Sequence, residues 1–153
     1  MSVRFIPYQN KLAKLIRSAG GQAFEDAVAG ADANLKTIEP TSLAELDAKI
    51  EEVRLIAGAP QAPGAANRIY QAANEVVALG GVCGMPELSE AAYSLCELVD
   101  RCMPDRMPGA EAVKVHADAM RLLRLGDALP EAERRKVLNG LGDVVRRESR
   151  AVA

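Results

Sequence analysis

The side chains able to do chemistry are few and scattered. His116 is the single histidine of the 153-residue chain. Cys83, Cys96 and Cys102 are odd in number and show no CxxC spacing. With one histidine available, a zinc site would have to borrow distant carboxylates, so no metal is expected. Cys83 and Cys96 sit among apolar residues at helical spacing, which reads as buried thiols in a reducing compartment. His116 falls between Val115 and Ala117, near the Val113–Ala117–Met120 stripe of its helix, and reads as a structural or surface histidine. Glu51-Glu52, Glu131 and Glu133 fall on polar helix faces rather than as a carboxylate pair at a catalytic spacing. The run Gly80-Gly81-Val82-Cys83-Gly84 lacks the GK[ST] ending that a phosphate-cradling loop needs. No catalytic residue and no cofactor are expected.

The elements that would position these residues are helices. Apolar residues make up 49% of the chain and aromatics only 3%. Small and unbranched side chains dominate, and these let helices approach closely. The net charge of −2 is nearly balanced, and the basic residues alternate with acids, so no nucleic-acid footprint is expected. No run approaches the roughly 20 apolar residues of a membrane span. The opening Met1–Ile6 lacks a signal-peptide apolar core, so a cytoplasmic location is expected.

Punctuation at Gly20-Gly21, Glu39-Pro40, Gly58–Gly64, Met103–Gly109 and Gly126–Pro130 separates the periodic segments. A short segment carries Leu12, Leu15 and Ile16. A helix over about 22–36 repeats Phe24, Ala27, Val28, Ala31 and Leu35. The next is expected to open at Ser42-Leu43-Ala44-Glu45, a capping-box pattern, and to continue through Leu46, Ile50, Val53 and Ala57. Helices over about 65–83, 86–103, 110–125 and 130–149 follow. Short connections between long amphipathic helices favour antiparallel neighbours, hence an all-α, up-and-down bundle with additional N-terminal helices.

The helix over 65–83 is the most informative. At 100° per residue, Ile69, Ala72, Val76, Leu79 and Cys83 fall within about 40° of the pole opposite Asn74 and form the expected core stripe. Asn67, Tyr70, Gln71, Asn74, Val77, Ala78 and Gly81 lie within about 60° of Asn74 and face outward. That face carries no Lys, Arg or Glu, whereas a solvated helix face normally would. An uncharged, partly apolar face marks a contact surface, with another helix as the alternative cover. Gly80-Gly81 in mid-helix costs about 1 kcal/mol per residue against alanine, which a close backbone approach would explain.

The run from Ala73 through Asn74, Val77, Gly80, Gly81, Gly84 and Pro86 to Leu88 resembles the signature of histidine-phosphotransfer (Hpt) domains. In a bacterial variant of that family the motif ends GG-x-x-G-x-P, matched here by Gly80, Gly81, Gly84 and Pro86. The segments Phe5–Leu12 and Val115–Ala119 are also similar to that variant. The resemblance implies a four-helix bundle: a single Hpt-like domain over 1–153, with an N-terminal extension over 1–39 and a bundle core over 40–149. It places Asn74 at the phosphate-accepting histidine, Val77 at a phosphate-holding lysine and Ala78 at a glycine.

A carboxamide has no protonatable, nucleophilic nitrogen, so Asn74 cannot form a phosphoramidate. The resemblance therefore implies a non-enzymatic pseudo-phosphotransfer module. It would bind a response-regulator receiver domain or a histidine kinase through Tyr70, Gln71, Asn74, Val77, Ala78 and Gly81. The alternatives are a self-associating structural bundle, as a homodimer through the same face, and an active relay through His116.

Overall fold

A computed structural model describes residues 24–59, 62–102 and 107–150. Among them the chain is all-helical, with no strand. The helices are α1 (Phe24–Ala57), α2 (Ala65–Val82), α3 (Pro86–Cys102), α4 (Ala110–Leu123) and α5 (Glu131–Arg150), with a 3₁₀ turn over Gly126–Ala128. The chain divides into two compact units, 1–37 and 38–153. In the first, the described residues Phe24–Thr37 form a helical segment that is exposed almost throughout. Among the described residues no helix is long and apolar enough to cross a membrane. The expected helix around Leu12, Leu15 and Ile16 lies outside the described residues.

The expected break at Glu39-Pro40 is not there. α1 runs through Pro40 as one helix, and Ser42 is a buried residue within it rather than an N-cap. A proline removes its own amide donor and crowds the carbonyl four residues back, but its neighbours keep their ladder. One turn earlier, the Thr37 hydroxyl donates to the Ala33 carbonyl at 3.0 Å, a local bond that does not need a helix end. The Ser42-to-Glu45 spacing alone therefore misplaced a terminus.

The second unit alternates in direction, as its side-chain pairs reveal. Lys49 pairs with Glu75 and Glu52 with Arg68, so α2 runs against α1. Ser89 reaches Val77 and Cys96 reaches the Tyr70 carbonyl, so α3 runs against α2. Glu87–Arg134, Glu90–Arg135 and Arg101–Ser149 advance together, so α5 lies parallel to α3. The α3 helix is the hub, packing against α2, α4 and α5. Arg124 at the end of α4 grips Asp47 of α1 at 2.8 Å.

One core joins the helices of this unit: Leu46, Ile50 and Val53 from α1, Ile69 and Val76 from α2, Leu88 and Leu95 from α3, Val113 and Met120 from α4, and Leu141 from α5. Each buried aliphatic side chain stabilises by roughly 1.5–3 kcal/mol. The expected Val113–Ala117–Met120 stripe of α4 is buried, as is the Leu88, Ala91, Leu95 and Val99 repeat of α3, whereas Leu125 stands exposed beyond the end of α4. The core line of α2 differs. Ala73 and Gly80 are buried, while Leu79 and Cys83 are only half-buried. The cause is α3, which crosses close over Gly80: a Cβ there would lie 2.6 Å from Ser89 Oγ.

Candidate functional site: the outward face of α2

The turn ending α2 is built by its glycines. Gly84 adopts φ +68°, the left-handed conformation that only glycine takes without strain. The Met85 amide then donates to the Gly80 carbonyl at 2.8 Å and the Gly84 amide to the Gly81 carbonyl at 3.3 Å. This paired closure satisfies the last free carbonyls of the helix. Pro86 starts α3 at once, at the position where a missing amide costs nothing. A Cβ at Gly80 would displace the Ser89 hydroxyl, whereas nothing lies within 4 Å of a Cβ at Gly81. The close approach read from sequence thus belongs to one glycine of the pair.

Asn67, Gln71, Asn74, Ala78 and Gly81 are exposed on one side of α2. Tyr70 and Val77 are half-buried, packed against the core at the seam with α3. The Val77 carbonyl accepts the Ser89 hydroxyl at 3.0 Å. Two of the seven outward residues therefore double as packing residues, since the seam with α3 lies to that side. On the other side, charge begins at once. Glu75, next to Asn74, holds Lys49 of α1 at 2.8 Å, and that pairing raises the Lys49 pKa. The charges of this region bridge α1 and α2 and leave the face between them and α3 uncharged.

The α3 border was not anticipated. Tyr93 is 64% exposed, and it acts electrostatically on the Tyr70 hydroxyl together with Asp100 and Cys96. Asp100 is the largest cause of the raised Tyr70 pKa, which moves the phenol further from ionisation. The signal was present in the sequence, because Tyr93 is the one aromatic of α3 and lies off its buried stripe. Val82, also exposed, extends the apolar surface at the end of α2.

Neither the cysteines nor the histidine joins this face as a reactive group. Burial pushes the Cys96 thiol up to about 11, with Asp100 adding to the effect, and burial also raises Cys83. Cys83 lines a separate cleft of about 330 Å³ beside Leu125 and Arg134, at the end of the bundle. His116 is fully buried. Its Nδ1 donates to the Ala112 carbonyl at 2.8 Å, which leaves Nε2 to accept the Ser94 hydroxyl at 3.2 Å in the neutral ring. Burial lowers its pKa, partly offset by the bond to Ala112. Among the described residues no group of three or more His, Cys, Asp or Glu side chains could hold a metal ion.

No family model matches the chain, and no curated protein or solved structure matches it either.

Proposed function

We infer that the chain is a non-catalytic docking module of the histidine-phosphotransfer type, binding a response-regulator receiver domain or a histidine kinase through the outward face of α2. The observation that carries this reading is the exposed, uncharged surface of Gln71, Asn74, Ala78 and Gly81, with a carboxamide where the resemblance calls for the phosphoacceptor. The alternating α1–α4 arrangement, with α5 alongside α3, suits the four-helix bundle implied by the same resemblance. Docking requires shape and apolar area, whereas transfer also requires the imidazole. Binding therefore survives loss of the chemistry, and such a module sequesters a receiver or competes with an active relay protein. A relay through His116 is disfavoured, because both ring nitrogens are engaged and the ring is buried.

The test is calorimetric titration of the purified chain with a panel of receiver and kinase domains. Binding weakened by Ala78→Arg supports the reading. Failure of every domain to bind even weakly sinks it. Incubation with a phosphorylated receiver should leave the chain unlabelled, and label that His116→Gln removes would establish the relay instead.

A further inference from the structure

We draw no further inference here: the strongest candidate, the exposed apolar stripe of Phe24, Val28, Leu35 and Ile38 along the first half of α1, carries nothing because nothing among the described residues shows what covers it.

Discussion

Ser89 Oγ sits where a side chain at Gly80 would have to go, 2.6 Å from the position of its Cβ, while donating to the Val77 carbonyl one turn earlier. The two residues lock α2 against α3 beneath the candidate docking face. Replacing Gly80 by alanine gains about 1 kcal/mol of helix propensity but turns the Ser89 hydroxyl away, losing a bond of about 1 kcal/mol. Gly81→Ala meets nothing within 4 Å and keeps the whole gain. Urea denaturation should therefore find Gly81→Ala stabilising by about 0.5–1 kcal/mol and Gly80→Ala neutral or destabilising. In a Ser89→Ala background the two substitutions should become comparable. Equal effects in the wild-type background would refute the contact.

His116 should make stability pH-dependent in a defined window. Its native pKa is lowered by burial, so below the ordinary imidazole value near 6.5 the unfolded chain takes up a proton that the folded chain resists. Its contribution is complete above about pH 6.5 and is lost as pH falls toward the native pKa. The slope is at most about 1.4 kcal/mol per pH unit for one proton. Carboxylates such as Glu87, with its pKa lowered by a backbone hydrogen bond and by Arg134, respond only in a more acidic range. Denaturant midpoints from pH 5 to 8 should fall on acidification in the wild type, with a much flatter profile in His116→Gln. Parallel profiles would mean that the ring takes up its proton as readily in the fold as in the unfolded chain.

The docking face should separate binding from stability residue by residue. Ala78 is exposed, so Ala78→Arg should change folding stability by no more than about 0.5 kcal/mol while adding a charged obstruction. Val77 is half-buried against the core, so Val77→Asp should lower stability by about 1–3 kcal/mol and would confuse the two effects. Paired denaturation and titration experiments check this. Loss of binding in Ala78→Arg together with a large loss of stability would show that the face is packed rather than free.

Much of the helical order was legible because each stripe repeats at three and four over several turns, as Leu88, Ala91, Leu95 and Val99 do in α3. The exposed side of α2 was legible for the same reason, since Gln71, Asn74, Ala78 and Gly81 follow the wheel. What the wheel could not convey was lateral crowding. Whether α3 leans over Tyr70 and Val77, or Gly80 rather than Gly81 meets a neighbour, depends on crossing geometry rather than on period. The burial of His116 was half-legible from its nearness to the Val113 stripe, but its hydrogen bond to Ser94 joins residues 22 positions apart.

Pro40 offers the sharpest test of the element that sequence punctuation misread. Were Pro40 to mark a helix start, its ring would be pre-organised for the first turn, and Pro40→Ala would be neutral or harmful. Inside a continuous helix the same ring removes one backbone bond and crowds the Lys36 carbonyl, at a cost of about 3 kcal/mol before the stiffening of the unfolded chain is offset against it. Pro40 is exposed, so alanine there removes no buried contact. Pro40→Ala should therefore raise helical circular dichroism and slow amide exchange over residues 36–41, with stability higher by about 1–2 kcal/mol. Ser42→Ala provides the control. A true N-cap loses about 1 kcal/mol on this change, together with protection of the amides at residues 44 and 45. In a continuous α1 those amides already bond to residues 40 and 41, so their exchange should be unaltered by Ser42→Ala. Faster exchange there, with no gain from Pro40→Ala, would place a helix terminus at Ser42 after all.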